Sequence, residues 1–216
     1  MKSMQRLIVT SSTYRMASTP DEINAKSDPD NVYLWRMPSR RMEAEIVRDN
    51  LLQVAGNLDP TMGGPDIDHK LGLTSKRRSL YLRIAAEKEV EFLKIFDGPS
   101  VTECYQRRPS VMPQQALALA NSELALTQAH VLATALGGDD RGDEDFVRRA
   151  FARILAREAK KEEQLLCTEF LASRAKTQTF QTKLSSTSTT PLSGTARARE
   201  NLVLVLFNHN DFVTIR

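Results

Sequence analysis

Phe146, Val147, Ala150, Phe151, Ile154 and Leu155 recur at i, i+1, i+4 and i+5, which lines one face of an α-helix. The same spacing in Ile46, Val47, Leu51, Val54 and Ala55 predicts a helix opening at Ser39 or Arg40 and closing near Ala55, where Gly56 supplies a stop. Pro113 suits the first position of a helix carrying Ala116 to Ala120, because its missing N–H would have no partner there. Ser122 then caps a second helix through about Leu136, ended by Gly137 and Gly138. A further helix is expected from Lys161 to about Lys176, burying Leu166, Cys167, Phe170 and Leu171. Residues 201–208 are apolar on all sides; periodicity admits a buried strand, but the flanks from Ala196 to Glu200 favour a helix docked in a core.

Other stretches read differently. Ser79 to Ile84 resembles a short strand with Leu80 and Leu82 on one face, and Glu87 to Phe96 a helical turn or two ending at Asp97-Gly98-Pro99. Residues 18–37 read as loop, with Tyr33, Leu34 and Trp35 anchoring it on a core, and a second loop spans 57–74. Eleven of the nineteen residues in 177–195 are Ser or Thr, so that segment is expected to be a mobile surface loop. At the front, Met4, Leu7 and Ile8 look like later turns of an amphipathic helix whose start is missing, which suggests a fragment of a larger protein. The fold class is mainly α: an irregular helical domain with long loops and at most a small β element.

Composition adds exclusions. The thirty basic and twenty-seven acidic side chains leave a formal charge of only +3, with no basic stripe interleaved with aromatics, so nucleic acid is not an expected partner. The run Leu7-Ile8-Val9 is too short for a signal peptide, and no stretch approaches the roughly 18 apolar residues of a membrane span. Cys104 and Cys167 are too few for a disulfide framework or a zinc site; they read as buried free thiols, with a single disulfide the alternative in an oxidising compartment.

Four polar concentrations are candidate sites. Asp66, Asp68 and His69 offer carboxylates and an imidazole suited to a metal ion, although they lack the twelve-residue calcium spacing and fit ordinary turn chemistry. Arg40 and Arg41, with Glu43, Glu45, Arg48 and Asp49, either pair among themselves at i, i+3 and i, i+4 or present arginines to sulfate or carboxylate groups. Arg77, Arg78 and Tyr81 form a third group, and Arg107 and Arg108 with Asp97, Glu103 and Cys104 a fourth. Asp97 and Glu103 would serve as acid and base in glycoside cleavage if a cleft joined them; the plainer reading has Asp97 capping the 98–99 turn and Glu103 pairing with an arginine. His69, His130 and His209 show no triad order, and no catalytic residue is assigned.

Six motifs occur in order along the chain: K-S-M-Q-R-L-I-V-T-S-S-T-Y-R at 2–15, R-R-M-E-A-E-I-V-R-D at 40–49, M-G-G-P-D-I-D-H at 62–69, R-R-S-L-Y at 77–81, E-F-L-K-I-F-D at 91–97 and T-E-C-Y-Q-R-R-P-S-V-M-P-Q-Q-A-L-A-L-A-N-S at 102–122. With the closing L-V-L-V-L-F-N-H-N-D-F, residues 1–216 resemble the C-terminal part of the planctomycete PSD1 domain, domain of unknown function 1553. The family usually has His where Gln5 stands and often near Ile84, so a histidine-based site is disfavoured here. The resemblance implies an exported or periplasmic multidomain protein with a haem c domain elsewhere, and no cofactor within this chain. On this basis the chain is expected to be a non-catalytic binding or scaffolding module. Its arginines (Arg40, Arg41, Arg48, Arg77, Arg78 and Arg107, with Tyr81) would contact other domains or an anionic glycan. The alternative is part of an enzyme acting on complex polysaccharides, sulfated ones among them.

Overall fold

The computed structural model describes residues 1–86, 88–101, 107, 110–138, 142–182 and 194–215, with backbone alone for 175–182. The chain divides into two compact units, Met1–Met42 with Thr214–Arg216, and Glu43–Val213. Among the described residues the architecture is mainly α, with one two-stranded sheet.

In the first unit, α1 (Lys2–Thr10) carries Met4, Leu7 and Ile8 one turn apart and ends at Ser11, whose hydroxyl donates back to the Ile8 carbonyl at 2.8 Å. The expected loop over 18–37 contains a short helix, α2 (Glu22–Ser27), because the Asp21 carboxylate accepts from the Asn24 N–H at 2.9 Å and caps it. Asp28 curls the chain that follows: its carboxylate accepts from the N–H groups of Val32 and Tyr33, and its carbonyl from the Trp35 indole. Trp35 is half-buried, but Tyr33 is 86% exposed and Leu34 also faces solvent, so this turn is held by Asp28 rather than by apolar anchors. Arg40–Arg41 (β1) pairs antiparallel with Thr214–Ile215 (β2). Those two arginines therefore lie in a strand, not at the start of a helix.

The second unit holds the core. Its first helix, α3 (Ala44–Val54), buries Val47, Leu51 and Leu52 and closes at Gly56, where φ is +78°. α4 (Glu91–Ile95) packs on it through buried Phe92 and Leu93. α5 (Pro113–Asn121) begins at proline, and the Ser122 hydroxyl accepts from the Ala125 N–H at 3.2 Å to open α6 (Glu123–Gly137). α7 (Asp143–Ile154) starts with three acids, favourable at the positive end of the helix dipole, and buries Phe146, Val147, Ala150, Phe151 and Ile154. α9 (Gly194–Phe207) resolves the all-apolar run as a helix: it packs on α5, α6, α7 and α8 (Lys161–Thr182) and buries Leu202, Val203, Leu206 and Phe207.

Three local expectations need correcting. Residues 79–81 form a 3-10 turn, which buries Leu82 but leaves Leu80 72% exposed, instead of a strand. α8 buries Leu171, half-buries Cys167 and Phe170, and leaves Leu166 exposed, since five residues rotate a helical position by about 140°. α8 also continues through 177–182 where loop was expected; the Ser/Thr-rich stretch 183–193 lies outside the described residues. No helix among the described residues is long and apolar enough to cross a membrane.

Candidate functional site

The motif at 40–49 becomes a buried polar centre. Helix α3 turns Arg48 inward, and its side chain has no exposure to solvent. Nε donates to the Gly72 carbonyl at 2.6 Å, Nη2 to the Ser75 carbonyl at 2.5 Å, and Nη1 to the Arg77 carbonyl at 2.9 Å and the Ser79 hydroxyl at 3.2 Å. Burial pushes this guanidinium below its ordinary pKa, while Asp49, 3.5 Å away, opposes that shift. Asp49 in turn accepts from the Ser79 N–H at 2.7 Å and hydroxyl at 2.6 Å. The carbonyl cage replaces the water that Arg48 has lost, and it fastens residues 72–79 onto α3. Gly72 lets Val90 pack against it, since a Cβ there would meet Val90 Cγ1 at 2.6 Å.

The motifs at 62–69 and 77–81 form a second layer of the same kind. Arg77 lies over the Tyr81 ring at 4.2 Å and donates to the carbonyls of Thr61, Gly63 and Pro65. The Tyr81 hydroxyl accepts from the Gly63 N–H at 2.8 Å, and Gly63 and Gly64 supply the positive φ that the turn requires. Arg78 is half exposed, its Nε 3.8 Å from Asp49.

Asp66, Asp68 and His69 take separate partners. Asp66 pairs with Arg83, whose hydrogen bond holds the Asp66 carboxyl below its ordinary value. Asp68 accepts from the Lys70 N–H at 2.9 Å, which lowers it, caps the 3-10 turn His69–Leu71, and sits 3.1 Å from His69 Nδ1. Among the described residues, no three His, Cys, Asp or Glu side chains gather as a metal-holding group.

In the fourth concentration the described residues Asp97 and Arg107 each have a partner. Glu45 binds Arg107 through both carboxylate oxygens, at 2.6 and 2.9 Å, with Glu43 at 3.5 Å, instead of pairing along its own helix. Asp97, at φ +59°, accepts from the Ser110 N–H and hydroxyl rather than capping the 98–99 turn. Buried Gln115 donates to the carbonyls of Ile95 and Ser110. Glu103, Cys104 and Arg108 lie outside the described residues, as does any meeting of Glu103 with Asp97. Arg40 is exposed and Arg41 half-buried, both in β1.

Two arginines make contacts that had no local signal in the sequence. Arg157 reaches Glu163 at 2.7 Å and Asp211 at 2.8 Å; the hydrogen bond from Arg157 holds the Glu163 carboxyl down to about 2. Arg153 of α7 donates to the Val54 carbonyl at 2.9 Å and so caps the end of α3. Cys167 is a half-buried free thiol, pushed up by burial. His130 pairs with Glu200, and His209 Nδ1 accepts from the Asp211 N–H, so the described histidines serve separate contacts.

Two grooves mark the surface. Leu73, Phe92, Ile95, Leu117 and Ala118 line one of about 370 Å³, together with Glu91. Ile84, Val90, Leu93 and Pro99 line another of about 210 Å³, beside the Glu89–Lys94 ion pair. None of the candidate arginines, nor Asp66, Asp68 or His69, lines either.

Comparison with curated proteins and with solved structures found no match in either set. A family model does match: PSD1, protein of unknown function (DUF1553), over residues 1–171, ending within α8 and short of α9. This chain belongs to the PSD1 (DUF1553) family.

Proposed function

We infer that the chain is the C-terminal part of a PSD1 domain, serving as a non-catalytic binding or scaffolding module of a larger exported protein with a haem c domain elsewhere. One observation supports this reading: six charged side chains of the family motifs, Arg48, Arg77, Glu45, Asp49, Asp97 and Arg107, are engaged within the chain itself. Arg48 and Arg77 each donate to three carbonyl groups, and Glu45, Asp49 and Asp97 hold Arg107, Ser79 and Ser110. Side chains so engaged shape loops; they are not poised to exchange protons with a substrate. Arg40 and Arg78, turned toward solvent, are the arginines best placed to meet an anionic glycan or a neighbouring domain.

The reading is tested by sequencing the gene upstream of the Met1 codon. It expects an open frame running into further domain sequence and a CxxCH haem-attachment motif. An in-frame stop directly before Met1 would count against it. A sulfated-glycan array on the purified chain tests the ligand side: retention abolished by Arg78→Glu supports an anionic contact there. Cleavage of the arrayed glycan would contradict a non-catalytic role.

A further inference from the structure

Resting on the reading of this chain as a binding module, we propose that the groove between α4 and α5 binds an extended peptide of a partner protein. The peptide sets an apolar side chain against Phe92 and Leu117 and a Lys or Arg beside Glu91. Eight of the nine residues lining this groove come from the motifs at 91–97 and 102–122, and three of them stand apart from Arg48, Arg77 and Glu45. The side chains of Glu91, Gln114 and Asn121 are exposed and make no hydrogen bond or ion pair among the described residues, Lys94 pairing with Glu89 instead. The walls, by contrast, are held by buried motif residues. Arg48 binds the Gly72 carbonyl and so fixes the backbone just before Leu73, while Gln115 donates to the Ile95 carbonyl at 3.1 Å and ties α5 to the end of α4. A groove held in this way needs no ordering when a ligand arrives.

The lining chooses the occupant. Gln114, Leu117, Ala118 and Asn121 stand at i, i+3, i+4 and i+7, on one face of α5. The two amides therefore lie roughly 10 Å apart along the helix axis, with the apolar pair between them. Each amide carries a donor and an acceptor, the complement of a peptide N–H and C=O, and three residues of extended chain span the same roughly 10 Å. Between those two anchors Leu117, 59% exposed, offers apolar surface for a side chain to cover. Glu91 is the one charged side chain lining the groove, so a basic residue on the peptide is attracted and an anionic ligand is repelled.

The test is selection from a phage-displayed library of random heptapeptides on the immobilised full chain. The expected consensus joins an apolar residue to a nearby Lys or Arg. For a synthetic peptide of that consensus, Leu117→Asp should lower the affinity at least about tenfold. Glu91→Lys should weaken it too, and should gain affinity for the same peptide with Glu in place of its base. That gain cannot come from unfolding, so it separates a lost contact from a lost fold. No consensus, an acidic consensus, or binding indifferent to both variants would overturn the peptide site. A dimer in sedimentation equilibrium that Leu117→Asp splits would give the groove to a second copy and overturn it as well. Cleavage of the bound peptide would instead sink the non-catalytic reading, which a failure to bind peptide leaves standing on its own tests.

Discussion

Helices α1 and α7 carry equally legible apolar stripes and meet opposite fates. α7 buries five side chains, Phe146 and Val147 among the most deeply, whereas α1 buries none. Periodicity therefore tells which face of a helix is meant to be covered, but the cover is a non-local fact. The comparison also separates two ways of holding a chain in place. Apart from the β1–β2 pairing, the first unit relies mainly on short-range hydrogen bonds such as those around Asp28, while the second has an apolar core and a buried arginine that reaches 24 to 31 residues along the sequence.

Substitutions should widen or erase that contrast. The largest effect is expected from Phe146→Ala, about 3–5 kcal/mol of lost stability from the cavity left in the core, read by urea unfolding. Arg48→Met should follow closely, at about 3 kcal/mol or more, because three carbonyls lose their charged donor at a side chain closed to solvent and Asp49 loses the charge beside it. Ser122→Ala should cost about 1 kcal/mol by removing the α6 cap, seen as a lower thermal midpoint.

Glu163 predicts a pH dependence of definite sign. Its carboxyl is held at about 2 against an ordinary 4.5, so its stabilising contribution is fully present above about pH 4.5 and is lost as the pH falls toward 2. Glu163→Gln should flatten that part of the stability–pH curve; an unchanged curve would remove the Arg157 clamp from the account. The smallest effect belongs to α1: Leu7→Ala in this chain alone should alter stability by no more than about 0.5 kcal/mol, since the side chain is already in water. A drop as large as that of Phe146→Ala would collapse the contrast between the two helices.

The sequence was most legible where the signal is local. Gly56, Pro113 and Ser122 mark helix ends by their own backbone chemistry, and the α7 stripe declares its buried face. The C-terminal apolar run was ambiguous by periodicity, and its flanks identified it correctly as helix. Reading failed where a fate is decided by a distant partner or by helix propagation. Arg48 in R-R-M-E-A-E-I-V-R-D looks like one more surface charge until residues 72–79 wrap around it, and Glu45 finds Arg107 sixty-two residues away. Residues 177–182 have a loop-like composition, yet a helix already nucleated over 161–176 extends through them. The family motifs were readable as motifs, but their reason, carbonyl groups gathered around Arg48 and Arg77, is visible only in three dimensions.

The central claim, that the motif arginines are architecture, is tested most directly by amide exchange of an Arg48→Lys variant. A lysine keeps the charge but cannot span carbonyls on three sides. The account predicts that amides bonded across residues 72–82, the Ser79 N–H above all, lose protection while α6, α7 and α9 retain theirs. Unchanged protection at Ser79 would contradict it.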